Sequence, residues 1–243
     1  MILLTSEPKS GKSTAIRKII HMLGPGNCRG FYTEQVREGS ERTGFRIRTL
    51  GGKSGILASV DSKSPFRVDR YGVDLDSFES LCIPEIEDAL RSETGKYLII
   101  DEIGPMQLFS DRFRELLSLL PASDLKVIGS IVLRDDAWTA AFKADPEVLL
   151  MELTPENRDL LPLQICDAVS KDDAEYQSKI RKAERYITAP ERFEVSGNEV
   201  VMRSTHDIRR IRRTGDKYSC SCDYYARKGT CSHIMSVITA NLL

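Results

Sequence analysis

Three groups of residues in this sequence have types and spacings that could do chemistry. The first is Ser6-Glu7-Pro8-Lys9-Ser10-Gly11-Lys12-Ser13. It follows G-x-x-x-x-G-K-[ST] except at its first position, where serine replaces glycine. A triphosphate is held by a ring of backbone N–H donors at a helix N-terminus. Ser10 and Gly11 belong to that ring, and Gly11 permits close backbone approach. Lys12 is placed to contact the β- and γ-phosphates, Ser13 to ligate Mg²⁺ and Thr14 to reach the α-phosphate. The second group is Asp101-Glu102, which ends the apolar run Tyr97-Leu98-Ile99-Ile100. Asp101 suits Mg²⁺, directly or through water. Glu102 suits the orientation and deprotonation of an attacking water. Arg134, at the end of the run 127–133, is either the cation that offsets developing charge or a surface arginine paired with Asp135 or Asp136.

The third group is Cys220-Ser-Cys222, eight intervening residues, then Cys231-Ser-His233. Three thiolates and an imidazole complete a tetrahedral set for structural Zn²⁺ and leave no open position for catalysis. A C-x-C pair in a strand points to opposite faces, so a turn or bulge is needed there. The other cysteines, Cys28, Cys82 and Cys166, are scattered singly and read as small buried residues.

These groups need elements to position them. Residues 1–5 read as a buried strand, and an amphipathic helix follows from Lys12 with Ile16, Ile19, Ile20 and Leu23 on one face. Short strands around 30–33, 45–48 and 56–58 suggest an antiparallel meander. A helix is expected over 77–93, buried parallel strands over 97–100 and 127–132, and a helix capped by Ser110 through Leu120. A helix over about 135–144 precedes a strand at 148–151. The alternation predicts an α/β fold with a predominantly parallel sheet and an antiparallel insertion. Beyond about residue 166 come a charged helical stretch at 171–186, a break at Ala189-Pro190, short strands and an apolar last helix.

Net charge is −1 over 243 residues, so the whole molecule offers no electrostatic case for a polyanionic partner. From Asp173 onward 13 Lys and Arg face 9 Asp and Glu, giving +4 there and −5 elsewhere. Arg209, Arg210, Arg212 and Arg213, with Lys217, Arg227 and Lys228, form a basic cluster beside Tyr224 and Tyr225, which suit stacking on bases. In a strand, Arg210 and Arg212 face away from Arg209 and Arg213, which leaves nucleic acid and protein as alternative partners. No run approaches the roughly 18 apolar residues of a membrane helix. The chain reads as cytosolic, and in a reducing compartment clustered Cys with His suggest metal and not disulfides.

Longer motifs carry a resemblance. Gly30-Phe31-Tyr32-Thr33-Glu34-Gln35-Val36-Arg37, Asp101-Glu102-Ile103-Gly104-Pro105-Met106 with Leu108-Phe109-Ser110, and Thr154-Pro155-Glu156-Asn157-Arg158-Asp159 closely resemble signatures of the THEP-type nucleoside triphosphatases. The resemblance spans residues 1–168. It implies a P-loop fold that slowly hydrolyses several nucleoside triphosphates with Mg²⁺. It also implies that Asn157 and Arg158 lie near the nucleobase or shape that edge; the same segment equally reads as a helix start capped by Thr154. Ser6 and Lys9 stand where that family has glycines. If position 6 needs a positive φ, serine there costs about 1 kcal/mol. The C-terminal motif is similar to the SWIM zinc finger, which implies nucleic-acid or protein binding.

The organisation expected is a P-loop domain over 1–168, a charged helical linker over 169–191 and a zinc-stabilised ββα module over 192–243. The expected function is Mg²⁺-dependent hydrolysis of ATP, GTP and related triphosphates. The alternatives are a small-molecule kinase using the same loop and a nucleotide-sensing adaptor with little turnover.

Overall fold

Apolar runs too short for helices become the strands of a mixed sheet. The computed structural model describes residues 1–91, 97–204 and 207–243. The chain divides into two compact units, Met1–Ser13 with Asn27–Leu153, and Thr14–Gly26 with Thr154–Leu243. The first unit holds strands β1 (Ile2–Thr5), β2 (Cys28–Glu38), β3 (Glu41–Thr49), β4 (Ser54–Ser59), β5 (Arg67–Val68), β6 (Tyr71–Val73), β7 (Tyr97–Ile103), β8 (Lys126–Ile131) and β9 (Leu149–Glu152). Among the described residues their order is β5-β6-β4-β3-β2-β7-β8-β1-β9. The run from β2 to β9 is parallel, and β3 to β6 extend it antiparallel. This is the parallel sheet with an antiparallel insertion expected from the sequence.

Helix α1 (Lys12–Leu23) follows β1 and has Ala15, Ile16, Ile19, Ile20, Met22 and Leu23 buried. It ends at Gly24, whose φ of +87° suits the left-handed residue that commonly closes a helix. Helix α2 (Leu75–Arg91) starts two residues before its expected first residue, because Asp74 Oδ1 accepts from Ser77 N at 2.9 Å. Residues 92 and 93 of the expected helix lie outside the described residues. Helix α3 (Asp111–Leu119) has the expected cap, with Ser110 Oγ accepting from Phe113 N at 3.0 Å. Helix α4 (Ala137–Lys143) is capped by Asp136. Between α2, α3 and β2 the rings of Phe31, Phe78 and Phe113, all fully buried, meet with centroids 5.1–6.1 Å apart.

The second unit contains α5 (Leu161–Val169), α6 (Ala174–Ile187), an antiparallel sheet, α7 (Asp223–Lys228) and α8 (Ser232–Thr239). The sheet runs in sequence order through β10 (Phe193–Ser196), β11 (Glu199–Arg203), β12 (Ile208–Thr214) and β13 (Lys217–Cys220). The charged stretch 171–186 keeps one apolar face, and its Tyr176, Ile180, Ala183 and Tyr186 are buried. Helix α6 packs on α8, every residue of which is buried. From Thr14 onward α1 belongs to this unit, so one helix begins in the first unit and ends in the second. No described helix is long and apolar enough to cross a membrane.

Gly30 explains why the Gly-Phe-Tyr-Thr segment tolerates no side chain at its first position. Its φ is +100°, and a Cβ there would sit 2.0 Å from the Ile99 carbonyl oxygen. Gly30→Ala is therefore expected to destabilise the protein by about 3 kcal/mol or more. Urea unfolding checks this; an unchanged midpoint would mean that β2 and β7 separate without cost.

Candidate functional site

The phosphate loop joins the end of β1 to the start of α1. Gly11 has φ +104°, a conformation only glycine adopts without strain. Ser6 does not need a positive φ; of the two positions where the family has glycines, it is Lys9 that adopts one, at +68°. The cost of a non-glycine residue, about 1 kcal/mol, therefore falls on Lys9. Ser6 is buried and has a different task. Its hydroxyl lies 2.6 Å from Ser10 Oγ, which is also 2.6 Å from the Glu7 carbonyl oxygen, and Ser10 N donates to the same carbonyl at 3.3 Å. Serine thus ties the loop together where glycine could not. Lys12 Nζ donates to the Ser6 carbonyl at 3.3 Å, across the loop that it would otherwise serve as phosphate contact.

The acidic pair stands at the end of β7. Asp101 is 1% exposed and its Oδ1 accepts from Ser130 Oγ on β8, the neighbouring strand. Burial raises the pKa of Glu102 above the usual carboxylate value, Asp101 raises it further, and Lys12 opposes both. Lys12, Asp101 and Glu102 are thus in electrostatic contact within the first unit. A Cβ on Gly104 would approach Glu102 Oε1 to 2.9 Å, so glycine there leaves room for the carboxylate to fold back. Ser130 escaped the sequence reading, although a hydroxyl inside the apolar run Val127-Ile128-Gly129-Ser130-Ile131 was a visible signal.

Arg134 does not end a strand. β8 stops at Ile131, and Arg134 follows in an exposed loop. Neither of its expected acidic partners engages it: Asp135 is 2.6 Å from Lys143 Nζ, and Asp136 accepts from Thr139 N at 2.7 Å. Lys143 also donates to the Val132 and Leu133 carbonyls at 2.6 and 3.2 Å, anchoring the loop that carries Arg134. The sequence gives no hint of that role.

In the second unit, Thr14 is exposed on α1. Thr154 does not cap a helix, because α5 starts only at Leu161. Instead Asn157 Oδ1 accepts from Thr154 N at 2.9 Å and shapes a turn, and Arg158 is exposed.

The Cys/His cluster is assembled by helix ends. β13 stops at Cys220 and the chain bends through Ser221, the redirection that the C-x-C spacing required. Cys222 Sγ caps α7 by accepting from Tyr225 N at 3.4 Å, and Cys231 Sγ caps α8 by accepting from Ile234 N at 3.5 Å. The four ligand atoms lie within 4.8 Å of one another, and Cys220 Sγ is 3.6 Å from His233 Nδ1. Ligand atoms around tetrahedral zinc are about 3.5–4 Å apart, so the donor set and its spacing are compatible with that ion. Burial and the neighbouring thiols push the Cys231 thiol well above its ordinary pKa, an environment that a bound dication would reverse. Cys28, Cys82 and Cys166 are buried, as expected.

The basic cluster is largely engaged. Arg210 and Arg212 share one face of β12 and both pair with Glu199 on β11. Arg209 pairs with Asp207 at 2.6 Å, and Arg213 Nε donates to the Gly215 carbonyl. Tyr225 OH donates to the Tyr218 carbonyl at 2.7 Å, and Lys179 Nζ covers the Tyr224 ring at 4.5 Å. Both rings are half-buried, and Lys179 occupies one face of Tyr224.

Comparisons with known proteins agree with this geometry. Residues 1–166 match a family model described as NTPase. The chain is 40% identical over 164 residues to nucleoside-triphosphatase THEP1 of Thermotoga petrophila, covering 68% of this chain and 89% of that protein. It is 37% identical over 175 residues to the cancer-related nucleoside-triphosphatase homolog of Mus musculus, covering 66% and 92%. The crystal structure of THEP1 from Aquifex aeolicus superposes with a TM-score of 0.63 at 39% identity, over 70% of this chain and 99% of the other.

The contact between Lys12 and Glu102 yields a direct check. Removing the lysine charge in Lys12→Ala is expected to raise the Glu102 pKa further, because a charge that opposes the shift disappears. Carboxyl-carbon NMR titration reads this; an unchanged value would mean that the two groups are not neighbours.

Proposed function

The chain belongs to the nucleoside-triphosphatase family, and from that membership we propose that it hydrolyses ATP, GTP and related triphosphates with Mg²⁺ at the phosphate loop. The observation that carries the reading is the match of residues 1–166 to the NTPase family model, with Lys12 on the phosphate loop and Asp101 held by Ser130 at the end of β7. Ser13 and Asp101 offer hard oxygen donors of the kind Mg²⁺ takes, and such an ion would neutralise charge on the β- and γ-phosphate oxygens. The backbone N–H groups of Ser10 to Thr14 and the Lys12 ammonium bind the phosphates. Ser130 fixes the Asp101 carboxylate. Glu102 orients a water and takes its proton as the water oxygen bonds to the γ-phosphorus. The bond to the bridging oxygen breaks, leaving a nucleoside diphosphate and phosphate. Arg134, on a loop held by Lys143, stands as the cation for the departing charge, and Asn157 and Arg158 as the base-side residues.

Glu102→Gln is expected to lower kcat by about 100-fold or more and to retain nucleotide, whereas Lys12→Ala loses both. A raised base pKa moves the acid limb of kcat/KM above the usual carboxylate range: activity falls as pH drops through it, and Glu102→Gln abolishes that limb. Phosphate release without an added acceptor checks hydrolysis. Strict dependence on an acceptor would mark a kinase, and tight binding without turnover a nucleotide sensor.

We read the Cys/His cluster as a SWIM-type structural zinc site in a cytosolic protein, supported by its donor set and spacing. Zinc would supply cross-linking of β13, α7 and α8, and no chemistry. One zinc per chain is expected by metal analysis, and Cys231→Ser loses it. For the module's partner, internal pairing of Arg209, Arg210 and Arg212 weighs toward a protein over nucleic acid. Weak binding of homopolymeric DNA and RNA with a shallow salt dependence is expected; tight binding with a steep salt slope would reverse the assignment.

A further inference from the structure

The C-terminal end of a helix leaves carbonyl groups without partners in the helix. In α1 one of these, the Met22 carbonyl, accepts two side-chain hydroxyls. Tyr176 OH on α6 donates at 2.8 Å, and Thr230 Oγ1 donates at 2.5 Å. Both donors are buried, and Thr230 immediately precedes Cys231. One residue back on α1, the His21 ring meets the Tyr218 ring edge-on with centroids 5.1 Å apart. Tyr218 lies two residues before Cys220. One turn further back, Lys18 Nζ reaches Asn241 Oδ1 at 2.7 Å and Asp159 Oδ1 at 3.2 Å. Two of these attachments therefore adjoin residues of the Cys/His cluster. All lie inside the second unit, on the helix whose first residues are Lys12 and Ser13.

We propose that the C-terminal module braces the phosphate-loop helix, so that metal in the Cys/His cluster and nucleotide on the loop strengthen each other's binding. Thr230 and Tyr176 are the positioning residues. This rests on the nucleotide and zinc readings above. Four ligands on one ion fix the segments 218–222 and 230–233. Loss of that ion would loosen Thr230 and Tyr218, and with them two attachments of the C-terminal half of α1. A helix of 12 residues is a stiff rod of about 18 Å, so a shift of its last turn moves its first turn as well. The N–H groups and Lys12 then meet the phosphates less well. Coupling of two binding equilibria is reciprocal. Nucleotide must therefore tighten zinc by the factor by which zinc tightens nucleotide.

The reciprocal arm is measured on the folded, zinc-loaded full chain. Zinc affinity is read by competition with a chromophoric chelator, with and without Mg²⁺ and a non-hydrolysable ATP analogue. The analogue is expected to raise zinc affinity about tenfold, a coupling of typical size. Thr230→Val and, should that variant fail to fold, Tyr176→Phe are expected to reduce the shift several-fold. Lys12→Ala, which cannot hold the analogue, shows none. The proposal is overturned if the wild-type chain binds the analogue without change in zinc affinity, or if both hydroxyl variants keep the full shift. A purified chain without zinc removes the metal reading and this one together. A chain that holds zinc but not the analogue removes the nucleotide reading instead.

Discussion

A triphosphate is held well only by donors that are already in place when it arrives. In the proposed function that requirement falls on α1. Its first turn presents Lys12 and Ser13 beside a loop drawn tight by Ser6 and Ser10. Its last turn is gripped in the second unit through the Met22 carbonyl. The sheet contributes the acids: β7 delivers two to one place, where Asp101 is held by Ser130 and burial raises the pKa of Glu102.

The departures from the usual phosphate loop acquire a physical meaning in this setting. Glycine at position 6 would serve a positive φ, but Ser6 has none and contributes a hydroxyl to the loop. Lys9 does adopt a positive φ, so the loop retains a shape that glycine would take more easily. The positive φ at Lys9 therefore carries a small energetic cost.

Much of this was legible in residue order. Strand–loop–helix at the N-terminus, the apolar strand before Asp101 and the Cys/His spacing are local patterns, and local patterns survive folding. What was not legible depends on contacts distant in sequence. Ser130 meets Asp101 across two strands, Glu199 neutralises two arginines from a neighbouring strand, and Lys143 pins the loop of Arg134. Arg210 and Arg212 looked available because their partner Glu199 lies on another strand, whereas Asp207, the partner of Arg209, is only two residues away. The stretch 169–191 looked like a linker because its charges outnumber its apolar residues, yet four buried side chains suffice to pack α6 on α8.

In the proposed coupling a single helix carries the effect of nucleotide from the loop to the Cys/His cluster. Hydrogen–deuterium exchange of the full zinc-loaded chain, with and without Mg²⁺ and a non-hydrolysable ATP analogue, tests it most directly. The expected result is slower exchange at residues 10–14, along α1 to Leu23 and at 230–234. Protection confined to the loop and the first turn of α1, with 230–234 unchanged, would contradict it.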